Sequence, residues 1–263
     1  MSRPVHILRV FTDGDSGGNH LGVVNDVTGL DGEAMQTLAT DLGFSETIYV
    51  HWRAGSVPAV RIFTPAVELP FAGHPLVGAG WVMTQLGPMN EGTLECGIGE
   101  VGYRADNGVV TVDVPVYGDV EERRDLTDLA TAAGLPAPSS SAVVLLPNDY
   151  VMFEMESSPA VATATPDIDT LTDHFGVYLF HRDGDDVHAR FFAPSAGVPE
   201  DPATGSAAFA LARLLASRGE VEGSVRVRQG AEMGHPSVIE LSWTDRTVSI
   251  GGTCIRDEVR EVD

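Results

Sequence analysis

Two stretches of this chain hold residue types suited to proton-transfer chemistry, and they hold them in the same order. The first runs Arg61-Ile-Phe-Thr-Pro-Ala-Val-Glu68-Leu-Pro70-Phe-Ala-Gly73-His74-Pro75. The second runs Arg190-Phe-Phe-Ala-Pro194 and, after a short insertion, Glu200-Asp201-Pro202-Ala-Thr-Gly205-Ser206. Glu68 aligns with Glu200, Pro70 with Pro202 and Gly73 with Gly205. Each stretch ends in a glycine turn that leads into an apolar, helix-like run. The start of a helix exposes unpaired N–H groups and partial positive charge, which suits a carboxylate or charge that develops during a reaction. Gly73 and Gly205 allow close backbone approach there, and His74 and Ser206 fall at the expected N-cap positions. One such turn would be ordinary capping. Two, in matching halves, point to a cradle for an anionic small molecule between two lobes.

Two carboxylates are placed to accompany it. Glu46 follows a helix stop at Gly43 and opens an apolar strand, where it would be partly desolvated and could exchange a proton with a bound molecule. Asp201 lies beside the Ser206 turn, and a second carboxylate near a histidine is a grouping that separates acid from base. Other chemistries fit less well. Gly97-Ile-Gly99-Glu-Val-Gly102 matches a dinucleotide fingerprint in spelling, but a hairpin at Asn107-Gly108 follows it instead of the required helix. The eight histidines show no metal-ligand spacing. Cys96 and Cys254 lack a CxxC partner and are expected to be inert thiols.

The elements needed to position these residues are mostly strands, expected at 5–11, 45–52, 59–63, 93–95, 102–115, 142–146, 150–155, 177–181, 188–193, 224–229, 237–243 and 247–251. Helices are expected at 31–42, with Gly43 as the stop, at 75–86, with Gly87 as the stop, and at 126–133, 167–175 and 207–218. The helices after Gly73 and Gly205 are apolar on nearly every side and should therefore be buried. The resulting architecture is α+β. It has two pseudo-symmetric lobes, residues 1–117 and 118–263, each a barrel-like, mostly antiparallel sheet around one central helix. The strand near 247–263 returns to the first lobe.

Composition narrows the function. Sixteen basic against thirty-eight acidic residues give a net charge of −22, which repels phosphate backbones and argues against nucleic-acid binding. All sixteen basic residues are arginine, so chemistry through a lysine Schiff base is excluded. No stretch approaches the ~20 apolar residues of a membrane span. With no signal-peptide pattern and only two cysteines, the expected location is the cytoplasm.

Taken in order, Phe44-Ser-Glu-Thr47, Phe63-Thr-Pro-x-x-Glu68-Leu-Pro-Phe-Ala-Gly-His-Pro75, Glu200-Asp-Pro-Ala-Thr-Gly-Ser206-Ala and Gln229-Gly-x-Glu-Met-Gly-x-Pro-Ser237 resemble the phenazine-biosynthesis PhzF-like isomerases, with Gly18-Asn19 in support. The resemblance runs from about Val5 to Ile255. It implies a diaminopimelate epimerase-like fold, a homodimer, no cofactor, and movement of a proton between the ring carbons of trans-2,3-dihydro-3-hydroxyanthranilate. Carried over, Glu46 would be the proton shuttle and His74 and Asp201 would assist it. Gly73, Gly205, Ser206 and Asn19 would bind the substrate. Two departures bear on this. His235 stands where the family usually has arginine, which puts the substrate in question. His74 and Ser206 stand where related epimerases place a pair of thiols, which argues against two-thiol racemisation. The expected function is thus a cofactor-independent isomerase of a small cyclic carboxylic acid. The alternatives are a non-catalytic binding or regulatory protein on the same fold, or an isomerase or epimerase of another amino or hydroxy acid.

Overall fold

A computed structural model describes residues 2–52, 55–86, 90–123 and 126–262. The first half contains β1 (Arg3–Val10), β2 (Asn19–Val24), α1 (Gly32–Leu42), β3 (Glu46–His51), β4 (Ala59–Phe63), β5 (Glu68–Leu69), α2 (Gly73–Leu86), β6 (Glu91–Cys96), β7 (Gly99–Asp106) and β8 (Val109–Pro115). The second contains β9 (Asp119–Glu122), α3 (Thr127–Ala132), β10 (Ser140–Leu145), β11 (Asp149–Glu154), α4 (Ser158–Ala162), β12 (Gly176–Asp183), β13 (Asp186–Ala193), β14 (Val198–Asp201), α5 (Gly205–Ser217), β15 (Gly223–Gln229), β16 (Ser237–Trp243) and β17 (Thr247–Val262).

Strand pairing closes a barrel in the order β1-β2-β3-β4-β6-β7-β8-β17 and back to β1, with only β2·β3 and β4·β6 parallel. The second half repeats the order as β10-β11-β12-β13-β15-β16-β17, again with two parallel pairs, β11·β12 and β13·β15. The long β17 links the two sheets. Its first part pairs with β16 and β8, and its remainder runs along β1. In the corresponding exchange, β8 leads through residues 116–118 into β9, which pairs with β10.

Each curved sheet wraps one helix. α2 buries Leu76, Val77, Ala79 and Val82, and α5 buries Ala207 to Ala212 without a break, so both helices lie inside their lobes. Gly78 and Gly80 let α2 sit close to the barrel wall. A Cβ at Gly78 would come within 2.2 Å of the Leu21 side chain. Among the described residues, no helix is long and apolar enough to cross a membrane.

The punctuation of α1 is as expected. The Asp31 side chain accepts from Ala34 N at the N-cap, and Gly43 closes the helix at φ 67°. The stop expected at Gly87 lies outside the described residues. Three expectations are corrected. The helix expected at 167–175 is a single tight turn, Ile168–Leu171, because the His174 ring and the Phe175 N–H turn instead to the Asp149 carboxylate at the start of β11. α4, capped by Ser157, was not foreseen. His74 and Ser206 lie within the first turns of α2 and α5; they are not the N-caps. The N-cap of α5 is Thr204, whose hydroxyl is engaged elsewhere. Gly97-Ile-Gly99 is the turn of the β6·β7 hairpin, a setting incompatible with a dinucleotide fingerprint.

Candidate active site

The helices α2 and α5 meet end to end. A Cβ added at Gly73 would come within 2.8 Å of Gly205 Cα, and one added at Gly205 within 2.9 Å of His74 N. Only glycine allows two backbones to approach so closely, and this contact brings the first turns of both halves to one point. His74 therefore enters the site from the first half and Ser206 from the second.

Glu46 arrives at the same place along β3, in register with Leu21 of β2. Its Oε2 lies 3.1 Å from His74 Nδ1, with the side chains 13% and 2% exposed. Among the described residues, Glu46 Oε2 has no aligned hydrogen-bond partner, although it is buried. An under-satisfied buried carboxylate is costly and is usually kept for chemistry. Burial alone would lower the His74 pKa. The carboxylates of Glu46 and Asp201 outweigh that effect and raise it, favouring the imidazolium. Asp201 is fully enclosed. Burial, and then the negative charge of Glu46, push its pKa up to about 6, while His74 and the hydroxyls of Ser45 and Thr204 act in the opposite direction.

Asp201 is held on all sides. Asn19 Nδ2 donates to its Oδ1 at 2.8 Å, and Thr204 Oγ1 donates to its Oδ2 at 2.6 Å. Asn19 also donates to Ala203 O at 3.0 Å and accepts from Ser45 Oγ at 3.1 Å, which ties β2 to the Asp201 segment across the lobes. Asn19 is therefore a support for Asp201. The residues that sequence reasoning missed are Ser45, Thr204, Gln229 and Tyr150, whose hydroxyl meets Ser206. The resemblance had already quoted the segments carrying the first three, without assigning them roles.

The pseudo-symmetry is broken where chemistry would occur. Phe63 and Phe192 hold equivalent places in the two repeats and face Thr47 and Val177 across the sheet, so the counterpart of Glu46 is Gly176. A Cβ at Gly176 would come within 2.2 Å of Phe191, whose ring fills that space. The counterpart of Asp201 is Leu69. A cavity of about 20 Å³ remains, with Glu46, Asp201, Thr204 and Ser206 on its polar side and Leu69, Phe175 and Phe191 among its apolar lining. This is room for about one water. Outside it a groove of about 280 Å³ runs between the lobes past His20, Phe44, Met233 and His235. Neither cysteine lines the cavity, and burial raises the pKa of both thiols.

Two lobes whose central helices meet start to start define a protein of the diaminopimelate epimerase-like fold class, and their seam gathers Glu46, His74 and the enclosed Asp201 with no symmetric copy of either acid. The family model for phenazine biosynthesis-like proteins matches residues 8–257, and the chain belongs to that family. The chain is 32% identical to the trans-2,3-dihydro-3-hydroxyanthranilate isomerase of Pseudomonas fluorescens over 89% of its length and 87% of the relative's. It is 29% identical to an uncharacterized isomerase of Pasteurella multocida, over 95% and 90% of the two chains. A crystal structure of a phenazine biosynthesis protein of the PhzF family from Enterococcus faecalis superposes over 100% of both chains with a TM-score of 0.84 at 23% identity, a likeness of fold.

Proposed function

We propose that this protein is a cofactor-independent isomerase that moves a proton within a small, unsaturated cyclic carboxylic acid, with trans-2,3-dihydro-3-hydroxyanthranilate as the first substrate to test. The observation that carries this reading is the Glu46 carboxylate, largely buried, set beside His74 and opposed by an apolar wall. Glu46 removes a proton from an activated C–H, and the electron pair passes into the neighbouring unsaturated system. The same carboxyl group then returns the proton to a different ring carbon, so no atom or electron is gained or lost. The positive charge favoured on His74 and the donors at the starts of α2 and α5 (Gly73, Gly205 and Ser206) stabilise the negative charge that develops meanwhile. Closure keeps water away, so the proton stays on Glu46 between the two steps.

A symmetric two-base racemisation is not favoured, because Gly176 and the Phe191 ring occupy the place that matches Glu46 in the other half. The closed cavity is too small for a ring acid, so the lobes must part to admit one and close again for reaction. The 32% identity to a named isomerase of that dihydroanthranilate over most of both chains supports the choice of substrate. The test is to incubate the protein with that compound and follow its proton NMR spectrum. Conversion to an isomer supports the proposal. Saturable binding without conversion would replace it with a binding protein on the same fold.

A further inference from the structure

The segment Gln229 to Ser237, prominent in the sequence, supplies none of the groups in the reaction just described, yet its first residue is 2% exposed and lies beneath Asp201. β14 and β15 share one edge of β13, with Asp201 opposite Phe191 and Gln229 opposite Ala189, so the end of β15 abuts the Asp201 turn. The chain then folds back tightly. Gly230 has φ 82°, and a Cβ there would come within 2.4 Å of His235 O and 2.5 Å of Pro202 O.

The Gln229 amide makes three contacts, and their chemistry fixes every proton. Nε2 donates to Asp201 O at 2.7 Å, and Oε1 accepts from Thr204 N at 3.3 Å. A backbone C=O can only accept and a backbone N–H can only donate, so the amide cannot be turned over. Nε2 also donates to Thr204 Oγ1 at 3.0 Å. The Thr204 hydroxyl, with that side filled, directs its own proton to Asp201 Oδ2. Asn19 fills Oδ1 from the other lobe. Both oxygens of Asp201 therefore face donors.

We infer that Gln229, acting through the Thr204 hydroxyl, is a positioning residue that holds Asp201 as a fixed hydrogen-bond acceptor facing Glu46 and His74. This rests on the acid–base reading above. Without the lock, Thr204 is free to rotate, and Asp201 can take up a proton that the reaction needs elsewhere. The groups that bear on Asp201 are Glu46 from β3, His74 from α2 and Tyr150 from β11; among these only His74 can supply positive charge.

The test compares wild type with Thr204→Val, Thr204→Ser and Gln229→Leu, in protein labelled with ¹³C at the aspartate carboxyls. The Asp201 signal is assigned by its loss in Asp201→Asn. Thr204→Val keeps the shape of threonine and removes the hydroxyl. It should raise the Asp201 titration midpoint by at least one pH unit and lower kcat at least tenfold, with KM changed less than about threefold. Gln229→Leu should do the same, and Thr204→Ser should stay within about twofold of wild type. An unchanged midpoint in a folded Thr204→Val protein overturns the inference. So does an equal loss of kcat in Thr204→Ser, which would mark a packing role. If wild type does not convert the dihydroanthranilate, the proposed substrate fails, and the Asp201 titration still decides this point.

Discussion

Gly205→Ala tests the seam between the two helix starts with a single carbon atom. The new Cβ would meet Gly73 Cα at 2.8 Å, His74 N at 2.9 Å and Gly73 C at 3.0 Å. Carbon atoms in contact settle near ~3.5–4.0 Å, so the lobes must part by roughly an ångström. All three obstacles are backbone atoms of α2, so no rotamer change relieves the clash. Overpacking of this kind costs about 1–3 kcal/mol. For a chain of this length that lowers Tm by roughly 2–12 °C. Catalysis should suffer more, because the shift carries His74 away from Glu46 and a misplacement of ~1 Å can cost a factor of about 10². Steady-state kcat/KM and a thermal melt read the two effects. Gly102→Ala is the control, since its Cβ would meet only Asp113 Cβ at 3.9 Å, and it should leave both unchanged. A Gly205→Ala protein with wild-type kinetics and a Tm within about 2 °C would refute the reasoning.

The twin arginine clamps, alike in geometry, should differ in energy. Arg190 bonds both oxygens of Glu200 with side chains 9% and 20% exposed, whereas Arg61 and Glu68 are 36% and 42% exposed. Urea denaturation should show about 3–5 kcal/mol lost in Arg190→Met, which strands Glu200 and frees the Ala164 carbonyl, but only about 0–1 kcal/mol lost in Arg61→Met. Site charge sets a pH dependence of stability. The folded pKa values of His74 and Asp201 are both raised, so the folded state binds more protons than the unfolded chain. The stability that His74 contributes is present below about pH 6.5 and is lost as pH rises through its folded value. Asp201 likewise costs stability as pH rises from its ordinary carboxylate range to about 6. The stability of wild type relative to Asp201→Asn should therefore fall between pH 4 and 7, as read by denaturant titration at each pH; a rising difference would reverse the sign of the argument. His74→Gln should lower kcat/KM at least tenfold while keeping the fold, as checked by kinetics and circular dichroism, because it leaves Glu46 without its cationic neighbour.

The parts of this molecule that were legible in the sequence are those whose reasons are local. Asp31 and Gly43 bound α1 because a cap and a left-handed residue act within one turn. The repeat from Arg61 to His74 and from Arg190 to Ser206 shows because each arginine has a phenylalanine two residues on and a glutamate partner further along, seven residues away in the first half and ten in the second. Arg61 lies 5.0 Å over the Phe63 ring, and Arg190 lies 5.0 Å over the Phe192 ring. His74 and Asp201 stand out in the sequence as neighbours of those turns and Glu46 as the residue that follows the stop at Gly43 and opens an apolar strand, and the fold brings the three together. β2 was not found, because it follows a glycine pair and is held by β1 and β3, partners that no window of residues reveals. The roles of Thr204, Gln229 and Tyr150 escaped because each depends on strand pairing that brings distant residues together. The asymmetry of the site was hidden as well. It lies in Gly176, where the second half lacks a counterpart to Glu46, and in Leu69, where the first half lacks a counterpart to Asp201.

The central claim is that Glu46 alone carries the migrating proton, and proton NMR in D₂O tests it most directly. Wild type and Glu46→Gln are compared with trans-2,3-dihydro-3-hydroxyanthranilate, following both the loss of substrate and the entry of deuterium into the ring. The account predicts conversion with wild type, deuterium at the carbon that receives the proton to whatever extent the enclosed carboxyl exchanges with solvent, and neither conversion nor deuterium with a folded Glu46→Gln protein. Conversion by Glu46→Gln at more than about a tenth of the wild-type rate would contradict it, since an amide cannot serve as the base.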